Sequence, residues 1–186
     1  MDILNARNGL IFMKVGLHAQ ESIEDIIRRK QQEFDKAGRI FWGYGGNTCH
    51  PTTMVQPFAN EVAARQGAVL LVMHKMNSKH AAPPALAKEY SDDGINWTPI
   101  PHGVEVRGSR YALVLDQLSE LELELPLGQL SVAIGRSRGT LAESYLKGRV
   151  DKGCFELLKK DHTPSRETKH IDLVAPLKVP YAVFLR

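Results

Sequence analysis

The sequence is short of long apolar runs, cysteine, net charge and recognisable nucleotide motifs, and each shortage closes off a class of protein. No run approaches the ~20 residues that span a bilayer as a helix, and the first residues do not follow the charged, apolar, small-residue order of a secretory signal. A soluble, cytoplasmic chain with no membrane partner is expected. Cys49 and Cys154 are the only cysteines and lie far apart, so both are expected as thiols rather than as a bridge. C-x-x-C, H-E-x-x-H and paired Cys/His zinc spacings are missing despite seven histidines, and no metal site is expected. Neither G-x-G-x-x-G nor the lysine-containing P-loop occurs, which excludes the two common nucleotide signatures. A net charge of +3 is too small to demand a polyanionic partner by itself. There is no internal repeat, and nothing names a cofactor or an oligomeric state.

What is present reads as one mixed α/β (α+β) domain over residues 1–186. Leu10 to Val15 is a short apolar strand. After it, ESIEDIIRRKQQEFDKAG has a helix's punctuation: Ser22 as cap, Glu24 and Asp25 in the first turn, Gly38 as stop. Ile23, Ile26, Ile27 and Phe34 share its apolar face. Ile40 to Trp42 is a second strand, Pro57 marks a second helix start, and Ala68 to His74 is a third strand. This β-α-β-α-β order favours parallel pairing through crossovers.

The pattern is lost from Lys75 to Gly103, where prolines and Asp93-Gly94 interrupt it, and a flap over the neighbouring loop is expected. Beyond it the period becomes that of hairpins. Val104 and Val106 are expected to pair with Tyr111 to Leu115 across Gly108-Ser109, with Arg107 and Arg110 facing each other. Leu121, Leu123 and Leu125 alternate with Glu120, Glu122 and Glu124, so leucines face inward and glutamates outward. QLSVAIG and DKGCFELLKK are further strands, and Pro176 and Pro180 place the C-terminal strand at an edge. One continuous or partly barrel-like sheet is expected from these hairpin-rich antiparallel strands.

Chemistry concentrates between Arg39 and Phe58, in RIFWGYGGNTCHPTTMVQPF, a loop leaving a strand to enter a helix. Gly45 and Gly46 let backbone N–H groups approach a ligand, Asn47 and Thr48 add polar contacts, and the following helix N-terminus favours an anion. Trp42 and Tyr44 have rings on which a base can stack. Cys49 and His50 are candidate catalytic residues. Adjacent side chains point apart, so a Cys49 nucleophile would take its base from His18, His74, His80 or His102.

A second candidate is Gly135-Arg136-Ser137-Arg138-Gly139, where two guanidinium groups precede Thr140, spaced from Glu143 as in a capping box. Binding of a phosphate-bearing ligand, a small nucleotide or a nucleic acid, is expected from Trp42, Tyr44, Gly45, Gly46, Asn47, Thr48, Arg136, Ser137, Arg138 and Thr140. The alternatives are a transferase or hydrolase using His50 as general acid or base under a closing 75–103 segment, and a structural or assembly subunit.

Overall fold

In the computed structural model of the chain, residues 2–17, 22–44, 52–77, 85–107, 109–147, 150–158 and 166–186 are described. The opening apolar run forms β1 (Gly9–Leu17), and the segment with capping signals forms α1 (Ile23–Ala37). Ser22 Oγ accepts the Asp25 N–H at 3.1 Å, and the Asp25 carboxylate accepts the Ser22 N–H at 3.3 Å. At the other end Gly38, at φ 65°, donates its N–H to the Phe34 carbonyl. Both ends thereby satisfy backbone groups that a bare helix leaves open.

β2 (Ile40–Gly43), α2 (Thr52–Ala64) and β3 (Val69–Asn77) complete the β-α-β-α-β order. β1 and β3 pair in parallel along their whole length, from Gly9 opposite Val69 to Leu17 opposite Asn77. β2 departs from expectation, pairing antiparallel with β6 (Tyr111–Leu115) at the far end of the sheet. Its outer edge is satisfied by α1. The Phe41 N–H donates to Glu33 Oε1 at 2.8 Å, and Lys30 Nζ donates to the Phe41 carbonyl at 2.8 Å and to Glu33 Oε2 at 2.6 Å. An edge strand whose backbone is bonded by a buried ion pair needs no neighbouring strand.

α2 starts five residues before Pro57, not at it. Thr52 and Val55 are buried, and that burial holds the first turns although proline withholds an N–H inside the helix. Two glycines fix the packing here. A Cβ on Gly9 would meet Phe58 Cζ at 2.6 Å, and one on Gly67 would meet the Arg7 carbonyl oxygen at 1.8 Å.

The remaining strands are β4 (Glu89–Ser91), β5 (Thr98–Pro99), β7 (Ser119–Pro126), β8 (Leu130–Val132), β9 (Lys152–Leu157) and β10 (Thr168–Leu185); α3 (Ala142–Tyr145) is a single turn. Together the described strands form one ten-stranded mixed sheet, ordered β2-β6-β10-β3-β1-β9-β8, with β7 and the β4–β5 hairpin also along β10. The sheet is open, with β2 and β8 at its ends, so the barrel-like expectation is not met. It nevertheless curls around the helical side, because Tyr44 just beyond β2 and Cys154 on β9 share one buried cluster with α2.

Three expectations are corrected. β10 is an interior strand, not an edge: Pro176 lies opposite Leu70 at the end of its pairing with β3, and Pro180 sits in an irregularity of its pairing with β6 between Leu177 and Ala182, so neither missing N–H falls inside a continuous ladder. Among the described residues Val104 and Val106 do not pair with Tyr111–Leu115, because β6 pairs with β2 and β10 instead, while Arg107 bridges to Leu86; Gly108 lies outside the described residues. From residue 85 onward the expected flap is tied to the sheet, with Tyr90 opposite Leu185. The glutamate–leucine strand is as expected, Leu125 being buried and Glu120, Glu122 and Glu124 exposed on β7.

Candidate functional site

β2 delivers Trp42 and Tyr44 to the core rather than to a surface. They are 7% and 1% exposed, Lys30 Nζ lies 5.9 Å from the Trp42 ring centre, and Lys152 Nζ lies 5.8 Å from that of Tyr44. As placed, neither ring offers a free face to a base. Burial pushes the Cys154 thiol far up, offset in part by a hydrogen bond with Tyr44, so Cys154 is a free but inert thiol. Gly45, Gly46, Asn47, Thr48, Cys49 and His50 lie outside the described residues, as do His18 and His80.

The arginine loop is folded by its own backbone. The Gly139 N–H donates to the Val132 carbonyl and the Val132 N–H to the Thr140 carbonyl, each at 2.8 Å, while Thr140 N–H donates to Ser137 at 3.0 Å. Gly135 and Gly139 adopt φ 81° and 85° to allow this closure. Those N–H groups are therefore committed inside the loop, leaving the side chains for any anion. Arg136 and Arg138 are exposed, and among the described residues neither forms a salt bridge.

Thr140 does not cap a helix. The cap position of α3 is Leu141, which makes no side-chain bond, and a single turn has no useful dipole. The helix that shares a cleft with Arg138 is α2. Met54, Pro57, Phe58 and Glu61 line a cleft of about 280 Å³ with Ala133, Ile134, Gly135 and Arg138. Thr52, at the beginning of α2, is buried, and its Oγ1 has no hydrogen-bond partner among the described residues.

A second polar grouping crosses the sheet near the carboxyl ends of the parallel pair β1 and β3, where open α/β sheets place ligands. Lys14 of β1 is in register with His74 of β3. On one side Lys14 Nζ lies 3.4 Å from Asp151. On the other, Asp172 of β10 accepts the Lys75 N–H at 2.7 Å and holds Oδ2 3.7 Å from His74 Nδ1. His74 Nδ1 is 2.9 Å from the His170 carbonyl, which fixes the proton on Nδ1 because only a donor can bond there. His170 Nδ1 is 2.9 Å from Glu124 of β7, and its Nε2 is 3.8 Å from Asp172.

The two imidazoles are pushed in opposite directions. Burial, aided by Lys169, lowers the pKa of His74, whereas the Glu124 hydrogen bond and the nearby Asp172 carboxylate raise that of His170. His102 lies in another part of the chain, on the turn before Val104. Sequence reasoning singled out only His74 of this row. The available signal was Lys14 inside LIFMKV, His74 closing AVLLVMH and Asp172 inside IDLVAP, polar residues that interrupt apolar strands.

The fold is thus a mixed α+β protein with an open ten-stranded sheet, and no helix among its described residues is long and apolar enough to cross a membrane. No family model matches the chain, and neither a curated protein nor a solved structure is significantly similar to it.

Proposed function

We propose that the chain binds a phosphate-bearing ligand, a nucleotide or a nucleic acid, at the cleft between α2 and the arginine loop. One observation supports this: Gly135 and the exposed Arg138 line the same cleft as Met54 and Pro57 of α2, so a guanidinium stands at a cleft walled by the helix. A guanidinium without an acidic partner presents its donors to phosphate oxygens, and the start of a thirteen-residue helix adds a favourable dipole. Glu61 is the one carboxylate in the lining and opposes the field of Arg138.

The test is fluorescence anisotropy of a labelled single-stranded oligodeoxynucleotide, titrated with protein at several salt concentrations. Saturable binding that weakens as salt rises, and that Arg138→Ala weakens about tenfold with the fold intact, is expected. Binding that is indifferent to both salt and Arg138→Ala would overturn the assignment.

A further inference from the structure

We propose that the row Lys14, His74, Asp172 and His170 is an acid–base site that cleaves an RNA phosphodiester, using the substrate's own 2′-hydroxyl as nucleophile. The inference takes only the ligand class from the preceding section. None of its residues lines the Arg138 cleft.

Geometry assigns each role. His74 commits Nδ1–H to the His170 carbonyl at 2.9 Å, which leaves Nε2 as a lone pair, and no hydrogen bond to Nε2 occurs among the described residues. With its side chain 23% exposed, the ring is held yet reachable. His170 is the complement. Its Nδ1 is occupied by Glu124, while Nε2 is 3.8 Å from Asp172, outside hydrogen-bond distance, so in the protonated ring the Nε2–H remains available to a substrate. A single carboxylate, Asp172, thus stands between both rings and is itself fixed by the Lys75 N–H. It is a positioning residue that also stabilises the imidazolium formed on His74. Lys14, in register with His74, puts a cation on the same row, where charge develops on phosphate oxygens.

The proton balance closes without a cofactor, oxidant or water. His74 Nε2 takes the 2′-hydroxyl proton, the 2′-oxygen bonds to phosphorus, the bond from phosphorus to the 5′-oxygen breaks, and His170 Nε2 gives its proton to that oxygen. The products are a 2′,3′-cyclic phosphate and a 5′-hydroxyl. Environments that separate the pKa values of two titratable groups mark one as base and the other as acid. Lys169, Asp172 and His170 face His74, and Glu124, Asp172 and Glu122 face His170. Because His74 is lowered and His170 raised, the neutral-base, protonated-acid form fills the interval between them. The rate should rise with pH as His74 loses its proton and fall as His170 does.

The experiment incubates the full chain with a labelled DNA oligonucleotide carrying one ribonucleotide, and with the all-deoxy oligonucleotide of the same sequence. Expected are cleavage only after the ribonucleotide, a cyclic phosphate end, a bell-shaped pH profile, and a loss of about 10²–10⁴-fold in His74→Ala or His170→Ala. His74→Gln replaces His74→Ala if the latter does not fold. Asp172→Asn should lower kcat more than it changes KM and should shift the acidic limb. Wild-type cleavage at the buffer rate, or equal cleavage by folded His74 and His170 variants, overturns the inference. Binding of the all-deoxy oligonucleotide without ribonucleotide cleavage overturns it alone, whereas cleavage without Arg138-dependent binding overturns the cleft instead.

Discussion

The arginine cleft and the polar row satisfy their charges in opposite ways. Arg138 lines the cleft from a loop closed by backbone bonds among residues 132–140, and neither it nor the neighbouring Arg136 forms a salt bridge among the described residues. In the row, every charge has a partner: Lys14 with Asp151, Asp172 with the Lys75 N–H, His170 with Glu124. Unpaired cations hold a ligand with energy not already spent within the fold, while paired groups have their protons and orientations fixed beforehand. The comparison has a purely structural extreme in Lys30 and Glu33, whose side chains are 6% and 3% exposed and bond one another and the edge of β2.

Breaking that extreme should give the largest effect. Glu33→Ala leaves a buried ammonium and an unbonded Phe41 N–H, and is expected to cost about 3–5 kcal/mol in urea unfolding. A cost below about 1 kcal/mol would show that the pair does not hold the β2 edge. Arg138→Ala should do the reverse, leaving stability within about 0.5 kcal/mol while lowering oligonucleotide affinity about tenfold and the salt slope by about one. Glu61→Gln sharpens the same contrast, since removing the cleft's carboxylate should strengthen binding by roughly two- to threefold, as expected for one partly screened charge.

The smallest effect lies at the exposed Glu124–His170 pair and is read as thermal stability against pH. His170 has a raised folded pKa, so its contribution is complete below its unfolded value and is lost as pH rises through the folded one. Glu124 has a lowered folded pKa, so its contribution is present above its unfolded value and lost as pH falls through the folded one. His74 acts oppositely to His170: its lowered pKa makes its protonation on acidification destabilising. His170→Gln should therefore flatten the alkaline side of the profile. An unchanged alkaline slope would remove the pair from that role.

Local chemistry was legible wherever neighbours in sequence are neighbours in space. Ser22 as cap, the acidic first turn and Gly38 bounded α1, and strict alternation from Glu120 to Leu125 assigned the faces of β7. The same rules failed where distant groups supply the missing bond. Pro176 and Pro180 argued for an edge, but they fall at the end of one pairing and in an irregularity of another, which lets β10 run through the interior of the sheet. Pro57 argued for a helix start, but burial of Thr52 and Val55 extended α2 upstream. Lys30 and Glu33 were not singled out on α1, because nothing nearby in sequence reveals the β2 edge they bond.

By itself, then, the sequence determined β1, α1, β3 and the two faces of β7, because periodicity and capping act over a few residues. Only the tertiary structure decided which strands pair, that Trp42 and Tyr44 turn into the core, that Arg138 shares a cleft with α2, and that Lys14, His74 and Asp172 form one row across three strands. Those outcomes depend on register and burial between segments many residues apart, and the hydrogen bonds and desolvation that set them exist only once the sheet is assembled.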